Sequence, residues 1–421
     1  MSFSLEIKKN FYASIFISIC AFALFIQSES VEGGLDSWEH FMLSKSAFKH
    51  PELFLNQWNK PIFTAITVLP CQLGINALVI FNLFCLIYSC YLISISMLKL
   101  GYKDVWLAQI LLFFTPILFK HSISGLTEPL NILMIAVFIR LWVSGHFISA
   151  SAIAGLLPFI RTEGFVVLSV IVLLVVYNKK WKCFFGLLSG ILLMNLIGFL
   201  VTKDPFWVIT QNPYFRFEMD GKFDPGRGSF FHFFKLSPGI IGLPLIVLFI
   251  WANYKFFYNW FKRKYIDSMM MFAIFAFWAY FMAHTMIYFL GILGSHGLDR
   301  PFAVLAPFIA VSVFIALGKL TWTYSNQFRL IVYSIIGLAV CLTAYDRTGF
   351  PAPWSLNEKA IEFEPAEKTF IKAGEWLIEN QLINRPIVHQ SPFFDVKFNK
   401  DPYDVKSSYR IWSIDQSNDW S

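Results

Sequence analysis

Apolar residues run through this chain in blocks separated by short polar connections, near 11–28, 76–97, 105–119, 129–143, 147–160, 164–177, 183–201, 238–254, 268–290, 301–318 and 329–345. A helix crosses the hydrocarbon core of a bilayer in about 20 residues. The pattern therefore predicts an all-α polytopic membrane protein with about 11 transmembrane helices. The block at 147–160 is short and contains Pro158, and residues 61–72 read as a second surface segment leading into the second span. The first block, preceded by Lys8 and Lys9, resembles a signal peptide in outline. It lacks a small-residue cleavage site and ends in Gln27-Ser28-Glu29, so it reads as an uncleaved first span.

Between the first two spans the periodicity changes. A helix over 36–48 places Asp36, Glu39 and His40 at i, i+3 and i+4, on one face. Leu35, Trp38 and Met42 fall opposite, with Phe41 at the edge. This predicts a short amphipathic helix lying on the bilayer, its two carboxylates and imidazole turned away from it. Asp36 also suits an N-cap, and Glu39 three residues later completes a capping-box pattern. Capping and catalysis are compatible readings of the same residues. From Asp346 the composition becomes that of a soluble protein. Residues 365–380 predict a helix with Phe370, Ala373, Trp376 and Leu377 on one face, and 385–390 a short strand. This segment, 346–421, is too small for a large core of its own, so it is expected to pack on the loops between spans or to join a larger domain.

Composition sharpens the class. Hydrophobic residues make up 57% of the chain and charged residues 14%, against about 25% charged in soluble domains. The net charge of +7 comes mostly from basic turns between spans and is no sign of nucleic acid. Cys20, Cys71, Cys85, Cys90, Cys183 and Cys341 lie in or beside apolar segments without metal-ligand spacing and read as small hydrophobes.

Lysine and arginine sort the connections into two sets. Lys8, Lys9, Lys99, Lys103, Lys179, Lys180, Lys182, Lys255, Lys262, Arg263, Lys264, Lys319 and Arg329 mark the cytoplasmic side, which carries little else. The other set, 29–75, 120–128, 161–163, 202–237, 291–300 and the chain from 346, then faces a periplasm-like space. It collects Asp36, Glu39, His40, His50, Glu52, Lys60, Lys120, His121, Glu128, Arg161 and Glu163. It also holds Lys203, Asp204, Arg216, Glu218, Asp220, Lys222, Asp224, Arg227, His232, His296, Asp299 and Arg300. One mixed-charge face and one plain basic face predict a reaction or binding site at the outer membrane boundary.

Glu128 and Glu163 stand at helix starts, where an acid also serves as a cap. Arg161, ending an apolar block beside Pro158, calls for a partner or ligand. Glycines around Arg227 suit a phosphate contact, and equally a plain turn. His284 lies within a span and reads first as a hydrogen-bonded structural residue. There is no P-loop, dinucleotide fingerprint, HExxH or nucleophile elbow.

The stretches Asp36-Ser37-Trp38-Glu39-His40-Phe41, Trp58-Asn59-Lys60-Pro61, Thr127-Glu128-Pro129, Arg161-Thr162-Glu163-Gly164 and Arg300-Pro301, over the topology of residues 1–345, resemble the GT-C superfamily of membrane glycosyltransferases. That group includes the protein O-mannosyltransferases, aminoarabinose transferases and dolichol-dependent mannosyltransferases. The chain is especially similar to bacterial members known only as glycosyltransferases. The resemblance implies a polyprenyl-phosphate sugar donor, an acceptor hydroxyl on a lipid, glycan or protein, and inversion at the anomeric carbon. It gives Asp36 the role of general base, accompanied by Glu39 and His40. In the O-mannosyltransferases the two acids are adjacent, whereas here Ser37 and Trp38 separate them. Lys60, Glu128, Arg161, Glu163, Arg216, Arg227 and Arg300 would bind substrate or its phosphate. No cofactor is required by this chemistry, although Asp36, Glu39 and His40 have the ligand types for a divalent cation. The implied setting is the bacterial inner membrane, with a cytoplasmic N-terminus and a periplasmic site, in a cell-envelope glycan pathway. The competing class is a lipid-linked sugar flippase or other transporter, for which midplane charges and inverted repeats are expected. The sequence shows neither repeats nor low-complexity segments.

Overall fold

A computed structural model describes residues 3–213, 226–264, 267–321, 325–355, 357–389, 391–403 and 408–410. The chain is mostly helical, and each apolar block of the sequence falls on a helix or on a pair of helices. Helix α1 (Phe3–Ile26) is followed by α2 (Gly34–Ser46), α3 (Pro61–Gln72) and α4 (Ile75–Lys99). Next come α5 (Trp106–Phe113), α6 (Pro116–Lys120), α7 (Glu128–Val143), α8 (Phe147–Leu156), α9 (Gly164–Tyr177), α10 (Cys183–Thr202) and α11 (Trp207–Thr210). The later helices are α12 (His232–Ile240), α13 (Leu243–Phe261), α14 (Ser268–Leu290), α15 (Ala306–Thr321) and α16 (Asn326–Thr348). A 3-10 turn over Arg300–Leu305 leads into α15.

The chain is a multi-pass membrane protein, but the count of eleven is not reached by helix length. Among the described residues six helices are long and apolar enough to cross a membrane, α1, α4, α10, α14, α16 and the stretch Arg300–Lys319. A seventh arises if α12 and α13, bent by 114°, form one broken span. The remaining blocks fall short for visible reasons. Thr115 leaves the helical conformation ahead of Pro116 and splits the third block into α5 and α6. Pro158 ends α8 in a single 3-10 turn. Helix α9 has 14 residues, about 21 Å at 1.5 Å per residue, against a core of about 30 Å.

The core is continuous. Helix α4 packs on α7, α8 on α10, and α14 on α15. Helices α8 and α10 approach through Gly155, Gly186 and Gly190, where a Cβ on Gly190 would collide with the backbone of Gly155. Small residues at such a crossing let backbones meet where no hydrophobic drive between helices exists. The opposite flank of α10, with Phe185, Leu192 and Leu193, is exposed, as a lipid-facing surface should be.

Side-chain contacts separate two polar layers at opposite ends of the bundle. One contains α2, α3 and the loops around 120–128, 161–163 and 291–300. The other joins the start of α1, the α4–α5 turn and the start of α16. This second layer holds more than orientation-setting lysines. The buried Asp104 carboxylate pairs with Lys9 and, at 2.6 Å, with Arg329 Nε, while its backbone N–H donates to Glu6 Oε2 at 2.6 Å. Two acids and two cations balance there, so Arg329 is a buried tie and not a surface marker.

The C-terminal segment does pack on the loops. Glu29 N–H donates to Ile361 O at 2.8 Å and Ala360 N–H to Gln27 O at 2.9 Å. Helix α17 (Pro365–Glu379) and α18 (Pro392–Lys397) follow, with β1 (Ile387–His389) parallel to β2 (Ser408–Arg410). The buried stripe of α17 differs from the expected one. It runs through Glu367, Phe370, Ile371, Gly374 and Leu377, while Ala373 and Trp376 are exposed. Its two fully buried positions are a polar residue, Glu367, and a glycine, Gly374, so counting apolar residues misplaces it.

Asp104→Ala is expected to destabilise the protein by about 3–5 kcal/mol, because Lys9 and Arg329 lose their buried partner. Lys359→Ala, breaking the exposed pair with Glu29, should cost less than about 1 kcal/mol. Denaturant unfolding in detergent checks both; equal small effects would contradict the buried tie.

Candidate active site

Gly33 takes a left-handed conformation, with φ of 92°, and starts α2 at Gly34, two residues before Asp36. Asp36 therefore stands in the first turn and caps nothing. Its carboxylate sits near the positive end of the helix dipole and forms an ion pair with Arg300. The Asp36 side chain is 35% exposed and that of Arg300 25%, so solvent or a ligand can reach the pair. Arg300 is fixed from behind: Pro301 lends its carbonyl to Tyr280 Oη at 2.9 Å.

Behind this pair lies a closed cluster. Glu128 begins α7, Glu163 precedes α9, and Arg161 leaves the turn that Pro158 creates after α8. Arg161 Nη1 lies 2.6 Å from Glu128 Oε1 and donates to Thr127 Oγ1 at 3.0 Å. Nη2 donates to Glu163 Oε1 at 2.8 Å, and His284 Nε2 is 3.7 Å from the same oxygen. Burial works against ionising Glu163, but Arg161 and then His284 override it and bring its carboxyl down to about 2. Burial likewise opposes the Arg161 charge, and Glu128 and Glu163 hold it well above its ordinary value. Both acids stand at helix starts, where the helix dipole favours negative charge.

Lys60 joins the same cluster, its Nζ donating to Thr162 Oγ1 at 2.7 Å and to the Gln57 carbonyl. Arg300 is within electrostatic reach of both Glu128 and Arg161. Asp36, Lys60, Glu128, Arg161, Glu163 and Arg300 thus come together from α2, the start of α3, α7, the α8–α9 turn and the turn before α15.

Other expected members behave differently. The apolar side of α2 does not rest on a bilayer: Trp38 and Met42 are buried in protein, and Leu35 is exposed. His40 does not face outward. It is buried, stacked on Trp58 with centroids 4.5 Å apart, set edge-on to Phe63, and its Nδ1 lies 2.6 Å from Asn59 Oδ1. Burial pulls its pKa down to about 4, against the opposing effects of Asn59 and Asp36. His40 is a neutral support beneath α2. Glu39 is half-buried on the same helix. Among the described residues no three His, Cys, Asp or Glu side chains gather as a metal-holding group, so Asp36, Glu39 and His40 do not form the tridentate set their types allow.

Arg227 is exposed and donates from Nε to Phe289 O at 3.2 Å. Its neighbour Gly228 is a glycine because a Cβ would strike the Tyr288 ring, so the Gly-Arg-Gly pattern answers to packing. No hydrogen bond or ion pair among the described residues joins Arg227 to the cluster. Arg216 lies outside the described residues, with Glu218, Asp220, Lys222 and Asp224 of the same loop.

Glu32 is the participant that sequence reasoning missed. It forms an isolated parallel bridge with Ser124, and its Oε1 lies 3.4 Å from Lys120 Nζ and 3.8 Å from His121 Nδ1. Burial raises its pKa, Lys120 opposes, and Glu364 and Asp299 add to the rise. Ser37 ties Glu32 and the 120–125 loop to α2, donating to Glu32 O at 2.6 Å and accepting from Gly125 N–H at 3.0 Å. The only sequence signal was an acid directly before Gly33-Gly34.

No protein-family model matches the chain, and no curated protein matches it.

Burial lowers His40 to about 4 and His121 to about 3, from an ordinary 6.5. The unfolded chain therefore binds more protons, and stability must fall as pH drops from 6.5 towards 4. The Glu163 contribution is present above 4.5 and is lost only as pH approaches 2. Melting temperature in detergent should decline between about pH 6.5 and pH 4, and less steeply in His121→Gln. A flat profile would contradict the buried neutral histidines.

Proposed function

We propose that the protein is a membrane glycosyltransferase of GT-C type, moving a sugar from a polyprenyl-phosphate donor to an acceptor hydroxyl with inversion. The carrying observation is the solvent-reachable Asp36–Arg300 pair, set beside a buried, charge-compensated Arg161 cluster at one end of an apolar bundle. A donor of this class keeps its chain in the bilayer and its phosphate at headgroup level, and a pair at the end of the apolar bundle is suited to meet it.

The mechanism starts from the Asp36–Arg300 ion pair. Donor phosphate competes with Asp36 for Arg300, and the carboxylate so released is free to accept the acceptor hydroxyl. Asp36 then takes the acceptor hydroxyl proton as the acceptor oxygen bonds to the anomeric carbon. The bond from that carbon to the phosphate oxygen breaks, its electron pair stays on the phosphate, and Arg300 and Lys60 meet the added charge. Arg161, occupied by two carboxylates, holds the floor of the site in place of binding phosphate directly. Glu39 borders the acceptor side. Under this reading the short helices α7, α8 and α9 and the broken α5–α6 complete an eleven-span bundle in a bacterial inner membrane, with the site in the periplasm.

The second reading, a flippase for a lipid-linked sugar, rests on the 114° bend between α12 and α13, a break of the kind transporters use. The ionisable groups collect at the bundle ends, which favours the enzyme.

Asp36→Asn should reduce sugar transfer by about 10²–10⁴-fold, the usual worth of a general base, with melting temperature unchanged. Arg300→Gln should raise the donor KM as well as lower kcat. Transfer of radiolabelled sugar by purified protein in nanodiscs measures both. Full activity in Asp36→Asn would remove the base assignment.

A further inference from the structure

Glu367 stands third in α17, where a capping-box glutamate ordinarily reaches back through solvent. Here it does close the box, accepting the Glu364 N–H at 2.8 Å, yet it is only 3% exposed. The remaining capacity of the carboxylate is spent on another part of the molecule. Trp38 Nε1 donates to Oε1 at 2.6 Å, and Ser30 Oγ lies 3.0 and 2.9 Å from the two oxygens. Phe393 of α18 sets its ring against Trp38, centroids 4.9 Å apart and planes at 75°. Three donors from three segments converge on one acid, an arrangement that capping alone does not need.

Trp38 is two residues from Asp36, about 200° around the same turn of α2. The site side of α2 therefore carries Asp36, and the far side carries the indole held by Glu367. Ser30 and Trp38 also wall a cavity of ≈ 250 Å³ with Phe25, Val31, Ile75 and Val79, at the ends of α1 and α4. A rotation of α2 would tear the indole from its acceptor or drive it into that space. We propose that Glu367 is a positioning residue for Asp36: by fixing Trp38 it sets the rotation of α2, which makes the C-terminal segment a working part of the site. The kinetic half of this inference rests on the glycosyl-transfer reading; the structural half does not.

Glu367→Ala, Glu367→Gln, Trp38→Phe and the Glu367→Ala/Trp38→Phe double variant, in full-length protein in nanodiscs, test it by hydrogen exchange and by sugar transfer. Glu367→Ala should speed exchange over residues 34–46 about tenfold, the equivalent of one lost hydrogen bond to a charged group, leaving 75–99 unchanged. Glu367→Gln keeps one oxygen for the indole and should retain most protection. kcat should fall about tenfold in Glu367→Ala with donor KM unchanged, and the double variant should be no worse than Glu367→Ala. Unchanged exchange over 34–46 in Glu367→Ala overturns the inference, as does unchanged kcat in an active enzyme. A wild type that transfers no sugar overturns the glycosyl-transfer reading alone, because exchange reports the contact without substrate.

Discussion

Buried charge in an apolar helical bundle is costly unless it is compensated, and that constraint shapes both polar ends of this molecule. An isolated guanidinium below the surface would cost several kcal/mol. Arg161 meets the condition by drawing Glu128 and Glu163, each at the start of a helix, onto its two terminal nitrogens. In doing so it fixes α7, the α8–α9 turn and α9 relative to one another. Asp104 performs the corresponding service at the other end, gathering Lys9 and Arg329. Between these two ties the bundle contains apolar packing, and at one of them it presents a pair that solvent can reach.

The difference between the two kinds of pair is the basis of the functional account. Arg161 is buried and occupied on both sides, so exchanging its partners would expose two carboxylates at once. Asp36 and Arg300 are one to one and partly exposed, so an incoming anion can take the cation and release the carboxylate. A site needs a rigid part and an exchangeable part, and here they differ in burial and stoichiometry.

The apolar blocks made the helices legible because period and length act locally. The third block was read straight through Pro116, which breaks it, and the block at 164–177 was taken as a span although α9 has 14 residues; span count depends on helix tilt and bilayer thickness, which no single segment encodes. Sorting charges by side put Asp36, Lys60, Glu128, Arg161, Glu163 and Arg300 on one face, but did not separate them from Arg227 or His40, which stand apart from the cluster. Nor did it give their partners. Asp36 has a capping residue's identity, but Gly33 starts the helix early and passes the carboxylate to Arg300. His40 shares the acidic face in a helical projection, yet Trp58, Asn59 and Phe63 close over it. Trp38 pointed to a lipid surface because it shares the apolar side of α2 with Leu35 and Met42; its N–H found Glu367, 329 residues along the chain. Distant polar partners leave no periodic trace, and Glu367 also closes the capping box of its own helix, which masks its contact with Trp38.

The most direct test of the central claim is to supply purified wild-type protein, reconstituted in sealed vesicles, with a panel of radiolabelled polyprenyl-phosphate sugars. Transfer of label to an acceptor hydroxyl and passage of the lipid between leaflets are measured side by side. The account predicts transfer with inverted anomeric configuration, and no acceleration of lipid passage. Accelerated passage without any transferred sugar would contradict it.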